Sequence, residues 1–198
     1  MNIRIYILAL ILLSALHTEA QLRYGFRFGG DFASSQLKDA PGFSLDNKSG
    51  FTGGLMLEYQ FEKNGFSPEI AILYGRHNTR LIKNETDFIN VGRNYIDIPL
   101  RLKYKFWLKS THDLFAPMIY TGPTISFRLD QKNAELLNIK NMQSGWDIGL
   151  GVDAINFIQL TAGYRFGLGN SLNQFKSCPD ARLRANGWNL SVNLLFDF

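Results

Sequence analysis

The chain has little cysteine, little histidine and no long apolar run past its first residues. Its 198 residues contain one cysteine, Cys178, and three histidines. A single thiol cannot close an internal disulfide, and its surroundings, "KSCPDAR", have the polarity of a loop. No residues stand at metal-ligand spacing and no glycine loop is shaped to cradle phosphate, so neither a metal nor another cofactor is expected. Twenty-one Lys and Arg against 17 Asp and Glu give a net charge of +4, spread along the chain. Without a basic run or an RNA-binding aromatic signature, nucleic acid is not an expected partner. A helical period is missing throughout the chain after residue 20.

The start of the chain points to a compartment. "MNIRIYILALILLSALHTEA" places Arg4 before an apolar run from Ile5 to Leu13, and ends in Thr18, Glu19 and Ala20. This is the layout of a secretory signal peptide, since the run falls short of the ~20 residues a spanning helix needs. An uncleaved N-terminal anchor is the alternative. The mature chain is expected to begin at Gln21 and to form one domain over 21–198. Arg4 and Glu19 leave together, so the net charge stays at +4.

What the mature chain does have is a period of two. In "NGWNLSVNLLFDF" the residues Trp188, Leu190, Val192, Leu194, Phe196 and Phe198 alternate with Asn189, Ser191, Asn193 and Asp197, and only Leu195 breaks the pattern. Such alternation describes a strand with one apolar and one polar face. Seven further segments behave alike: "LRYGFRFGGDF", "FTGGLMLEYQF", "FSPEIAILYG", "YIDIPLRLKYKF", "LFAPMIYTGPTISF", "WDIGLGVDA" and "IQLTAGYRFGL". The fifth of the eight is apolar on both sides, which leaves its facing open; Gly122 and Ser126 are assigned to its polar face. Each segment matches the ~9 to 11 residues of a tilted membrane strand.

Connections alternate in length. "EKNG", "WLKSTHD" and "IN" are short, whereas 33–49, 77–94, 128–143 and 169–186 are long and polar. Short turns facing the periplasm and long loops facing outward describe an outer-membrane barrel. A soluble lipocalin-like cup would show the same alternation, and three features argue against it. Glycines such as Gly25, Gly54, Gly149 and Gly163 crowd the polar faces, where a narrow barrel interior needs room for longer neighbours. Aromatic residues gather at both ends of the apolar faces, as membrane-interface belts do. The apolar faces carry no charge apart from Arg76 at a strand end, and a basic residue at mid-bilayer would cost ~2 to 4 kcal/mol. The expected fold is therefore all-β: an eight-stranded antiparallel up-and-down transmembrane β-barrel with short periplasmic turns and four long extracellular loops. The expected location is the outer membrane, crossed many times. The expected surroundings are outer-membrane lipid and the barrel-insertion machinery, for which Phe198 serves as a terminal signal.

The inward faces carry Arg23, Arg27, Arg101, Lys103, Lys105 and Arg165 against Asp31, Glu58, Glu69, Asp97, Asp147, Asp153 and Asp197. An eight-stranded barrel is just filled by its side chains, so a charge-paired lumen is expected in place of a conducting pore. Its core is Arg27, Glu58, Glu69, Asp97, Arg101, Lys103, Asp147, Asp153 and Arg165. Glu69 is the expected shared partner of Arg27 and Arg101. Catalysis is not expected. The alternative is a hydrolase or acyltransferase working at the outer rim, where His77 and Asp97 stand at neighbouring strand ends; a lone histidine in a polar loop is more often solvated. His112 falls in a short turn beside Asp113.

The stretches "FRFGGDFASS", "SPEIAILYG", "YIDIPLRLKYKF", "APMIYTGPTIS", "WDIGLGVD" and "LLFDF" together resemble the PorT-like outer-membrane β-barrel family of Gram-negative bacteria. The resemblance spans essentially the whole mature chain. It implies an eight-stranded barrel but no single activity, since the best-known member assists a protein secretion pathway. The resemblance carries over fold and location alone; the expected function, read from the closed lumen and the four outward loops, is a structural or interaction protein, or an accessory to a secretion or assembly complex, with a secretion-complex or surface-protein partner.

Overall fold

The protein is seen in a computed structural model, which describes residues 20–38, 43–61, 65–83, 87–106, 115–131, 137–155, 157–169, 171–175 and 182–197. Of the expected leader, residues 1–19 lie outside the described residues, as do Cys178, His112 and Phe198. Every regular element is a strand: β1 (Ala20–Ala33), β2 (Gln36–Lys38), β3 (Phe43–Asn47), β4 (Ser49–Phe61), β5 (Phe66–Lys83), β6 (Asp87–Lys105), β7 (Phe115–Gln131), β8 (Leu137–Ile139), β9 (Met142–Ala154), β10 (Ile158–Leu168), β11 (Leu172–Phe175), β12 (Arg182–Arg184) and β13 (Gly187–Asp197).

Eight long strands, β1, β4, β5, β6, β7, β9, β10 and β13, pair antiparallel with their sequence neighbours. The circle closes because β1 pairs both β4 and β13, with Arg27 opposite Gly54 on one side and Asn193 on the other. Closure leaves no open edge, which is what allows a sheet to sit in lipid. It is an eight-stranded antiparallel barrel.

The barrel is inside-out relative to a soluble domain. Leu55 is 60% exposed and Leu150 64%, whereas Glu58 and Lys103 are 0%. In β7 the alternation resolves the ambiguity of its sequence: Ala116, Met118, Tyr120 and Thr124 are buried, while Phe115, Ile119, Phe127 and Leu129 face outward. Gly122 shares the inward row. Leu195, the residue that broke the alternation of the last strand, is an inward residue after all. It packs with Met56, Ala71 and Leu73 in a small apolar cluster within the polar lumen.

Two aromatic belts ring the outside. At the short-turn end Tyr24 and Phe157 both lean on Phe196, and Tyr104 lies between Phe66 and Phe106 with centroids 4.9 Å away on each side. At the other end Tyr164 meets Phe166 and Trp188 at 4.8 and 5.0 Å.

Beyond that outer belt the structure departs from the expected long loop over 77–94. β5 and β6 stay paired from Arg76↔Asn94 to Lys83↔Asp87. Thr79 and Ile82 are β-branched and suit the ladder. β3 adds to the outer half of β5. The other outward regions are joined by two small ribbons, β2 with β12 and β8 with β11.

Candidate functional site

Closure brings the inward rows of eight strands together along one axis, and their charges meet at three levels. Nearest the short turns, Lys105 lies 2.5 Å from Glu58 and 2.7 Å from Asp153, and Arg23 lies 2.9 Å from Asp153. Arg23 also reaches Asp197 at 3.2 Å. Gln159 donates to Asp153 at 2.9 Å and accepts from Lys103 at 2.6 Å. This glutamine is absent from the expected network, although its inward position follows from the same alternation.

At mid-height the register sets Glu58 directly opposite Glu69. Like charges in that position repel. Lys103 relieves them by placing its Nζ 2.5 Å from both. Glu69 also holds Arg27 at 2.6 Å, and Arg27 donates from Nε to Asn193 at 2.8 Å.

Arg101 shares Glu69 with Arg27 only loosely. It stands directly across the ladder from that carboxylate, yet only Nη1 approaches it, at 4.0 Å, while Nη2 lies 2.7 Å from Asp147. Arg27 and Lys103 both bind Glu69 through Oε2 and its Oε1 is left without a hydrogen bond, while the Tyr120 ring lies 4.6 Å from the Arg101 guanidinium carbon as a cation–π partner.

The third level is the outer mouth. Arg165 bridges Asp147 at 2.8 Å and Asp97 at 2.9 Å. Above it lies a cavity of about 80 Å³, lined among others by Asp31, His77, Arg93, Tyr95, Asp97 and Asn189. His77 Nε2 is 3.9 Å from Asp31 and its ring stacks edge-on to Tyr95. It stands past Arg76, above the outer aromatic belt. Burial is the largest influence on the imidazole and holds its pKa below the ordinary value, against the pull of Asp31 and Asp97. Arg93, expected in a loop, continues the inward row of Tyr95, Asp97 and Arg101 and donates to Thr79 at 2.7 Å.

The His77 and Asp97 pair that the rim-enzyme alternative needs is not formed as a hydrogen bond. Asp97 accepts from Arg165, and among the described residues His77 has no hydrogen-bonded hydroxyl or thiol that could serve as a nucleophile. Groups of three or more potential metal ligands are also absent among the described residues.

The family described as outer membrane protein beta-barrel domain matches residues 17–173. The chain belongs to that family. No curated protein matches it significantly. Among solved structures it is similar to the outer membrane protein OprG from Pseudomonas aeruginosa, at 12% identity and a TM-score of 0.68 over 92% of this chain and 97% of that one. Neisserial surface protein A aligns with 88% of this chain and 97% of its own, at 12% identity and a TM-score of 0.49. At such identities the OprG match speaks to the fold, an eight-stranded outer-membrane barrel.

Proposed function

We propose that this outer-membrane barrel is a closed structural or interaction protein whose strands anchor four outward regions, and that it serves as an accessory to a secretion or assembly complex. The observation that carries the reading is the filled lumen. Arg23, Lys103, Lys105, Glu58 and Asp153 interlock at one level with almost no exposure. Opening a water path there would break several buried ion pairs at once, each costing a few kcal/mol when one partner is stranded. The outward ribbons β2/β12 and β8/β11 support the accessory role, since they offer a surface for a partner at the cell exterior. The family supports residence in the outer membrane, and the reading adds lipid against the apolar face and delivery by the barrel-insertion machinery.

Planar-bilayer recordings of the purified protein test the closed lumen. The expected trace shows no steady conductance, and a persistent open pore would overturn the reading. Site-specific photocrosslinking from Arg184 in native membranes tests the accessory role; the expected product is a defined adduct with one envelope protein. An alternative rim hydrolase or acyltransferase has no observation in its favour.

A further inference from the structure

The ion pairs of the lumen leave one carboxylate over. Arg23, Arg27, Arg101, Lys103, Lys105 and Arg165 engage Glu58, Glu69, Asp97, Asp147, Asp153 and Asp197. Asp31, the seventh, has no Arg or Lys within ion-pair distance among the described residues and stands 3.9 Å from His77. Its Oδ2 is buried without a hydrogen bond.

The same cavity holds the opposite defect. Arg93 is 7% exposed, its Nε has no partner, and its one hydrogen bond goes to the neutral hydroxyl of Thr79. Asn189 is also 7% exposed; it faces Asp31 across the β1–β13 ladder and leaves Nδ2 unsatisfied, while its Oδ1 accepts from Tyr120 at 3.1 Å. So one acceptor of negative charge, one donor of positive charge and one neutral donor line a single cavity without meeting one another. Unsatisfied atoms occur elsewhere in the lumen on side chains that are ion-paired, but here a buried charge of each sign has no oppositely charged Arg, Lys, Asp or Glu beside it among the described residues, which indicates a missing partner.

We propose that this outer cavity binds a small zwitterion, its ammonium group seated between Asp31 and His77 and its acidic group on Arg93 and Asn189. The 3.9 Å between Asp31 Oδ2 and His77 Nε2 allows one ammonium nitrogen to reach both at ordinary hydrogen-bond length. A volume of about 80 Å³ holds roughly six water-sized groups, which suits a small amino acid of about six to eight heavy atoms. A plain cation would meet Arg93 and Arg165, and a plain anion would meet Asp31 and Asp97. Asp97 and Arg165 already neutralise each other and act as the floor of the site. Ligand binding here needs no passage through the barrel, since the cavity lies at its outer end.

The test is isothermal titration of the intact protein in detergent with β-alanine, γ-aminobutyrate and δ-aminovalerate as rulers, and with methylammonium and acetate as the two halves. One of the three zwitterions is expected to bind best, at least about tenfold tighter than either half. Asp31→Asn and Arg93→Gln should each weaken it about tenfold or more, and Asp31→Asn should raise the relative affinity for acetate. Unboiled gel mobility checks that each variant is still a folded barrel. If a variant fails to fold, competition among the five probes on the unmodified protein still decides. Methylammonium binding as tightly as the best zwitterion would show a cation site, and acetate doing so an anion site. Either result, or no heat from any ruler at about 10 mM, overturns the proposal.

Discussion

Arg27 and Glu69 meet at 2.6 Å although their strands are not neighbours, with β4 lying between β1 and β5. The bond therefore spans the curve of the barrel wall and ties three strands together. Both groups are buried, and Glu69 also carries Lys103. Removing Glu69 strands Arg27, whose one carboxylate partner it is among the described residues, at a cost of about 3 to 5 kcal/mol, whereas removing Arg27 leaves Glu69 its Lys103 and should cost less. In a double-mutant cycle, Arg27→Met with Glu69→Gln is expected to cost clearly less than the two single losses summed. Urea unfolding in lipid vesicles measures it, and additive losses would count against a direct pair.

Tyr120 reaches across the lumen because Gly149 and Gly163 have no side chains. A Cβ on either glycine would run into the Tyr120 phenol. Gly163→Ala is expected to destabilise by about 1 to 3 kcal/mol, through overpacking. A second change, Tyr120→Phe, should recover part of that loss by removing the hydroxyl that the new methyl meets. Equal stability of Gly163→Ala and the native chain would show that the ring can move aside freely.

His77 should titrate below its ordinary value of 6.5. Folding then favours the neutral imidazole, so the contribution to stability is complete above 6.5 and fades as the pH falls below it. Asp31→Asn removes an influence that raises the pKa and should lower the midpoint further. Imidazole proton shifts in detergent micelles report both values. A midpoint above 6.5 in the native protein would contradict the burial of the ring.

Ile155, in the short turn between β9 and β10, has a φ of 58°. A β-branched residue pays for the left-handed region with a clash between Cβ and the backbone. Ile155→Asn is expected to stabilise by about 1 kcal/mol, and Ile155→Gly by less because glycine loses more entropy on folding. A slower unfolding rate, or a higher urea midpoint, would register the gain.

Alternation determined the strands and, in all but the fifth segment, their facing, because a period of two survives any tertiary arrangement; the outer-membrane setting also needed the inward glycines, the aromatic belts and the uncharged apolar faces. "YIDIPLRLKYKF" shows why: each of its residues takes its side from its neighbour, and one misplaced charge on the lipid face would be costly. Inward residues outside the expected network, such as Gln159, Arg93 and Leu195, were equally legible by parity. Their surroundings obscured them: Leu195 is an apolar residue on a polar row, and Arg93 lies in a segment with the polarity of a loop. Pairing was not legible. Glu58 faces Glu69 only because β4 and β5 take one register, and Lys103 separates them only because closure brings β6 alongside. Arg101 pairs closely with Asp147, on a strand that is not its neighbour, and only loosely with Glu69 directly across its own ladder. The lone carboxylate of Asp31 and the unsatisfied Arg93 share one cavity for the same reason. Which charges meet depends on distances across the barrel axis, and those exist only after eight strands have closed.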